Sequence, residues 1–596
     1  MTRKNPLVKL YGVLVVLVFS IVYAGQILGF IGFYRPIFVF PFVVILATLI
    51  GYLYFRENGK FYKPALFNDN NNVDSKTEYR AQILLYIISF TILILLICLP
   101  LIRWPYSIVN ETLTWDAGLY HFPKAIELFR SGSSWDLSIP YGEYPFGYES
   151  LLSFGISITN NEALFGSVHA IIAVYFFLSL FFLLRRYTRL SGGWIAILVS
   201  ILLISGREIT SGNPWWIFNS LICTIGKNDL ILGAALLASI FHAPVGLNKT
   251  QNAYHTVGLA LNSMISVSIK PNSLIVIIPL WLIVGYRWFI SNGKKVRISK
   301  IPWIEGILVF ILVTPGFLWI LRNYSVMHTI FSEGVMEVQN WSIANNLFNP
   351  FFYLYIPKNL ILTFGIFFVC IVLAIWRKWF SWSFILIYTA LFASFIFSPA
   401  SAFLNNTQVP TEIAWRFSIG WLTFALLTLV MIFDKILQRI KNHIKGQQLI
   451  QICLLVLVTL IGMGIIWRDR ELTYYVPENM IVLEDQYRES VGINGYHSAI
   501  DYVHKNIRNS VIQVENAQLF YFYGRGYSNS PTKLDYPLGR ANTVKQLDPE
   551  YFAIFQTPWF EGQQEGFPPN IDQPDWLNHW QLVYSDSQGR LYKKKN

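Results

Sequence analysis

The chain is predicted to be mainly α: a polytopic transmembrane bundle of about thirteen helices followed by a small α/β domain outside the membrane. Three observations predict this. Of the 596 residues, 54% are hydrophobic, 17% aromatic and only 13% charged, a balance foreign to soluble domains. Apolar runs of spanning length recur from near residue 10 to Trp467. After Trp467 the chain turns polar and no spanning run follows.

The net charge of +12 reads as the basic residues of cytoplasmic loops. No basic face alternates with aromatics outside the membrane plan, so nucleic acid is not an expected partner, whereas a lipid bilayer is. Cys98, Cys223, Cys370 and Cys453 are scattered through or beside apolar runs without metal or redox spacing. Neither a disulfide framework nor a cysteine metal site is expected.

Taken in order, the first run follows Arg3, Lys4 and Lys9 as in a signal peptide. It lacks a clear small-residue cleavage site and is long enough to span, so it reads as a retained helix near 10–32. The next two lie near 36–55 and 81–103, separated by a polar, basic loop from Arg56 to Arg80. The basic N-terminus and this loop belong on the cytoplasmic side, and three crossings then place the following stretch outside. Further runs lie near 163–184, 192–205, 229–242, 255–269, 273–290, 303–321, 358–376, 380–397, 416–433 and 448–467. The cytoplasmic connections implied by this count contain Arg185, Arg186 and Arg189; Lys294, Lys295, Arg297 and Lys300; Arg377 and Lys378; and Lys435, Arg439, Lys441 and Lys445. These are the basic clusters, and they fall on one side. The expected location is the inner (plasma) membrane, multi-pass, with the C-terminal domain extracytoplasmic.

The external loops are long: about 105–161, 206–229, 322–358 and 398–415, all rich in Trp, Tyr, Asn and Pro. Two parts follow, a membrane domain of residues 1–467 with its first external loop at 104–161, and a soluble domain of residues 468–596. Within the latter, Tyr496 to Ile507 has helical periodicity, Val511 to Val514 and Phe552 to Phe555 read as strands, and Trp580 to Tyr592 reads as a hairpin around Asp586-Ser587-Gln588-Gly589.

The stretch that organises the rest is Thr114 to Gly132, TWDAGLYHFPKAIELFRSG, a polar, amphipathic segment directly after an apolar run. Asp116 sits there among aromatics, with Tyr120 and His121 one turn on. A carboxylate just above a membrane face is costly unless used; the plain alternative is that it caps the following helix. Trp115, Asp116, Tyr120, His121, Pro123 and Lys124, in a W-D-x-x-x-Y-H-x-P-K pattern, resemble the first external loop of GT-C glycosyltransferases, and most of all the bacterial protein-mannosyltransferase-like group, family 39. Tyr144, Pro145 and Glu149 form a weaker second part, and Gly226-Lys227-Asn228-Asp229-Leu230 resembles another segment of these proteins. The likeness covers the plan of about 1–467. This chain departs from the family in having two helices before the one that leads into the loop, where one is common, and no second acid adjoins Asp116.

The resemblance implies an enzyme that takes a sugar from a polyprenyl-phosphate carrier and passes it to a lipid, glycan or protein acceptor at the external face. A sugar hydroxyl needs a base as it attacks, and Asp116 is the candidate. The departing polyprenyl phosphate is an anion that cations should stabilise, with Lys227, Lys270 and Arg416 the candidates and interfacial snorkelling the alternative for each. His121, Asp136, Glu143, Glu149 and Asp229 are candidates for acceptor or metal contacts. No metal is demanded, although Asp116 with Glu149 or Asp136 could hold a divalent ion (Mg or Mn) by oxygen ligands. Arg207 and Glu208 pair with each other or with headgroups, and sequons stand at Asn110, Asn323 and Asn340.

Two other classes share the gross plan. A transporter or lipid flippase should show internal repeats and mid-membrane charges, whereas here the ionisable residues cluster at the external ends. An O-antigen-type polymerase or ligase would use a diphosphate-linked donor and a large Arg-rich central loop, whereas here the first loop is the long one.

Overall fold

A computed structural model describes residues 6–61, 84–94, 116–137, 139–188, 192–204, 225–245, 253–291, 303–331, 380–396, 419–441, 496–515, 517–532, 548–555, 574–586 and 589–595, with single positions near 101, 190 and 365–376. Among these, five helices are long and apolar enough to cross a membrane: Leu7–Phe30, Pro36–Phe55, Glu162–Tyr187, Pro271–Ile290 and Trp303–Met327. The first and third are largely buried in the bundle. The other three expose most of their apolar surface, as lipid-facing helices do. Shorter apolar helices, Leu84–Ile94, Gly192–Ile204, Asp229–His242, Ala253–Ile269, Trp382–Ile396 and Ile419–Ile432, fall at expected spans. The expected run near 448–467 lies outside the described residues, as does most of 358–376.

Polar side chains inside the bundle are bonded across helices. Tyr175 donates to Asn262, and the Trp281 indole donates to Ser263 Oγ at 3.1 Å. Such bonds join helices where hydrocarbon offers polar groups nothing. At the end of the Asp229–His242 helix, Tyr54 bonds both His242 (3.3 Å) and Tyr254 (2.9 Å).

The helix expected to stop near 321 runs on to Met327 after a 3₁₀ turn at Thr314–Phe317, where Pro315 cannot continue an α-helix. Arg322 and Asn323, expected in a loop, are instead buried on this last turn. Asn323 donates to the carbonyls of Glu143 and Ile330, both at 2.7 Å, so this sequon is folded away.

Two helices lie between the second and third long spans, the amphipathic Phe122–Ser131 and the largely buried Gly147–Thr159. The first ends at Gly132, whose φ of 73° is the left-handed stop that glycine allows. Arg35 closes that end, donating to the carbonyls of Phe129, Arg130 and Ser131. A cation satisfying the last carbonyls also opposes the negative end of the helix dipole. This fixes the loop helix on the first helical hairpin.

The C-terminal residues form a five-stranded mixed sheet in the order β2-β1-β3-β5-β4: β1 Val511–Glu515, β2 Ser530–Thr532, β3 Tyr551–Phe555, β4 Trp580–Ser585 and β5 Gly589–Lys594. β1 is parallel to β2 and β3, while β3, β5 and β4 are antiparallel. The expected helix stands at Tyr496–Asn506, and both strands and the hairpin stand where expected. In the hairpin turn the Gly589 N–H donates to Asp586 Oδ1 at 2.7 Å. β2 was not foreseen; three residues with Pro531 carry almost no strand signal, and proline is tolerated there because β2 is an edge. The sheet domain rests on the loop helices: Phe520 packs on Phe122, Arg130 donates to the Asn529 carbonyl at 2.7 Å, and Tyr527 donates to Glu162.

Candidate active site

Residues Ala117–His121 form a single π-turn ahead of the Phe122–Ser131 helix, with the Phe122 N–H reaching back to the Ala117 carbonyl. Pro123 supplies the reason. In a regular helix its ring would collide with the carbonyl four residues back, that of Leu119, and it has no N–H to offer; widening the preceding turn relieves both. Asp116 heads this turn, but its side chain makes no capping bond. Its Oδ2 instead takes Lys227 Nζ at 2.5 Å, with the two side chains 17% and 12% exposed.

Lys227 is presented by a tight turn. Gly226 has φ of 91°, and a Cβ there would lie 2.2 Å from Ala117 Cβ, so only glycine brings this turn against the π-turn. Two residues on, Asp229 opens its helix, where a carboxylate complements the positive end of the dipole. Asp229 is buried and pairs with Lys270 Nζ at 2.5 Å. Lys270 precedes Pro271 and is extended (φ −144°, ψ 132°), as a residue before proline must be. One turn thus holds members of two ion pairs, Asp116–Lys227 and Asp229–Lys270.

Behind them lies a buried cluster. His121 Nδ1 stands 2.7 Å from Glu149 Oε1, and Lys124 Nζ is 3.5 Å from the same oxygen. All three side chains are 3% exposed or less. Lys124 also donates to the carbonyls of Tyr144 (3.4 Å) and Pro145 (3.3 Å) and sits 4.3 Å from the Phe146 ring centre. Arg322 lies 4.9 Å from that same ring and donates to the carbonyls of Ser134 and Gly142, each at 2.9 Å. Tyr148 OH accepts the Gly226 N–H at 3.1 Å and so ties this cluster to the Lys227 turn.

Burial governs the protonation states. It pushes the Lys124 ammonium down to about 8 despite the neighbouring Glu149 carboxylate. It lowers His121, with the Glu149 hydrogen bond only partly offsetting it, so the imidazole is neutral. Burial would raise Glu149, but the Lys124 charge and the His121 hydrogen bond outweigh it and hold the carboxyl below its ordinary range.

Of the sequence candidates, the structure therefore joins Asp116, Lys227, Asp229 and Lys270 in one group and His121 and Glu149 in a second behind it. Glu143 is buried beside Lys124 and Arg322, on whose charges it acts. Asp136 acts instead on Glu127 and Tyr523, where the C-terminal domain meets the loop helix. Arg416, Arg207 and Glu208 lie outside the described residues. Asp116 faces Lys227, and Glu149 faces His121 and Lys124. Among the described residues no three His, Cys, Asp or Glu side chains are grouped as a metal site. Sequence reasoning missed Tyr148 and the buried role of Arg322; a guanidinium inside a long apolar run was the one signal for the latter.

No protein-family model matches the chain, and no curated protein matches it. Among solved structures it is similar to ArnT from Cupriavidus metallidurans, described as bound to undecaprenyl phosphate, at 13% identity over 84% of this chain and 97% of that one, with a TM-score of 0.46. At that identity and score, activity has to be read from the site's own chemistry.

Proposed function

We propose that the chain is an integral-membrane glycosyltransferase that moves a sugar from a polyprenyl-phosphate donor to a lipid, glycan or protein acceptor on the extracytoplasmic face. In this reading residues 1–467 form the catalytic membrane domain, 468–596 form an extracytoplasmic domain, and the N-terminus is cytoplasmic. The observation that carries it is the Asp116–Lys227 pair, partly exposed and adjoining Asp229–Lys270 where apolar helices begin. A base and a cation for an anionic leaving group are the two things this transfer requires.

Asp116 takes the proton of the acceptor hydroxyl as its oxygen bonds the anomeric carbon. The bond from that carbon to the phosphate oxygen breaks, and its electron pair leaves with the polyprenyl phosphate. Lys227 and Lys270 stabilise that anion, with Arg416 a further candidate. The test is transfer from a panel of radiolabelled polyprenyl-phosphate sugars by wild type and Asp116→Asn. Loss of at least about 10²-fold in a folded variant supports the assignment. Transfer that survives moves the base elsewhere, and failure to bind or turn over any donor rejects the class.

A further inference from the structure

Three buried ionisable groups, His121, Lys124 and Glu149, have no part in that mechanism. In an α-helix His121, five residues after Asp116, would lie about 140° round the axis from it. The π-turn absorbs one residue, so His121 takes the place of a fourth residue, about 40° from Asp116. Asp116 and His121 therefore share a face, and the Asp116 charge acts on the imidazole.

We infer that the Glu149–His121 pair is a proton relay behind Asp116; this rests on the transferase reading. A neutral imidazole beside an ionised carboxylate donates from Nδ1 to Glu149 Oε1. Nε2 is then the lone-pair nitrogen, on the side chain that shares a face with Asp116. A carboxylic acid is ordinarily a stronger acid than an imidazolium, so a proton gained by Asp116 is readily passed on. It moves to His121 Nε2, and the imidazolium formed is stabilised by Glu149. The charged groups around the pair are Asp116 on the π-turn, Lys124 on the Phe122 helix, Glu149 on the Gly147 helix and, facing Lys124, Glu143 and Arg322. Lys124 and Arg322 balance Glu149 and Glu143, so the relay works in a locally neutral shell. In this reading His121 acts through Asp116 and is a positioning residue.

The test uses the full-length protein in lipid, with His121→Asn and Glu149→Gln assayed for transfer across pH beside solid-state spectra of ¹⁵N-histidine-labelled wild type. Expected are a neutral His121 protonated at Nδ1 and a fall in kcat of about 10²-fold in each variant. Donor KM should stay within about threefold, and the acid limb of the kcat profile should move. A merely structural histidine would not move that limb. Should neither variant fold, the resting protonation of His121 read from the wild-type spectra carries the test. An unchanged kcat and pH profile in a folded variant, or a resting His121 protonated at Nε2, overturns the relay alone. No transfer by wild type from any donor overturns the transferase reading and the relay with it.

Discussion

Gly118, inside the π-turn, lies under Gln518 of the C-terminal domain, and replacing it by alanine measures how firmly that domain holds the turn. A Cβ at this position would stand 1.8 Å from Gln518 Oε1, 2.6 Å from its Cδ and 2.9 Å from its Cβ. These are side-chain atoms, so the amide can swing aside. Gln518 is fully buried, however, and a displaced buried amide costs about 1–3 kcal/mol. Overpacking adds about 1–3 kcal/mol, while alanine's better helix preference returns about 0.5–1 kcal/mol. The expected net loss for Gly118→Ala is about 1–5 kcal/mol. Unfolding in mixed micelles and limited proteolysis between the two domains read this directly. Gln518→Gly clears the space, so Gly118→Ala and Gln518→Gly together should recover at least about half of that loss as coupling energy. A Gly118→Ala variant within about 0.5 kcal/mol of wild type, or strictly additive effects in the double variant, would refute the clamp.

Two further outcomes follow from the same contacts. Tyr527→Phe removes the hydroxyl that donates to Glu162 across the domain junction; a loss of about 1.5–3 kcal/mol, with faster proteolytic release of the C-terminal domain, is expected in the same micelle assay. Lys124 carries its proton only up to about pH 8 when folded but to about pH 10.5 when free. The unfolded chain therefore binds more protons between those values, and stability should rise with pH across that window. Lys124→Met should flatten that rise; a wild-type stability that falls between pH 8 and 10.5 would contradict the burial assigned to Lys124.

How much was legible depended on whether the signal was local. The apolar runs within the described residues, the hairpin turn at Asp586–Gly589 and the two strands at 511 and 552 are written in contiguous residues and stand where expected. The end of the helix at 303–327 was misjudged because Arg322 looks like a loop residue. Its charge is buried only because carbonyls of Ser134 and Gly142 meet it from nearly two hundred residues away. The site divides in the same way. Asp116, Lys227, Asp229 and Lys270 were picked out by residue type, but their pairing is tertiary, and no spacing in the chain announces that Asp116 answers Lys227. Capping was a fair local reading of Asp116, yet its backbone is already helical (φ −59°, ψ −39°), so the side chain is not placed to cap. The π-turn was also hidden, although Pro123 two residues past His121 was its sequence mark.

The contrast between the two charge groups bears on how a phosphate would be received. Both lysines at the front are paired with carboxylates, so a phosphate either shares an ammonium or takes it by exchange. Lys227 and Lys270 keep 12% and 14% of their side-chain surface open, whereas Lys124 keeps 1%. The Asp116–Lys227 pair is partly solvated on both sides, so opening it costs less than opening a fully buried pair, and the flexible Lys227 stem can turn from the carboxylate to the oxygens of a phosphodiester. Breaking the buried cluster would instead strand a charge in low dielectric, at about 3–5 kcal/mol. On the transferase reading, the Asp116–Lys227 pair is therefore the one that exchanges, whereas Asp229, 2% exposed, keeps its hold on Lys270. Glu149, His121 and Lys124 stay fixed, and the base is released from Lys227 by the arrival of the substrate it serves.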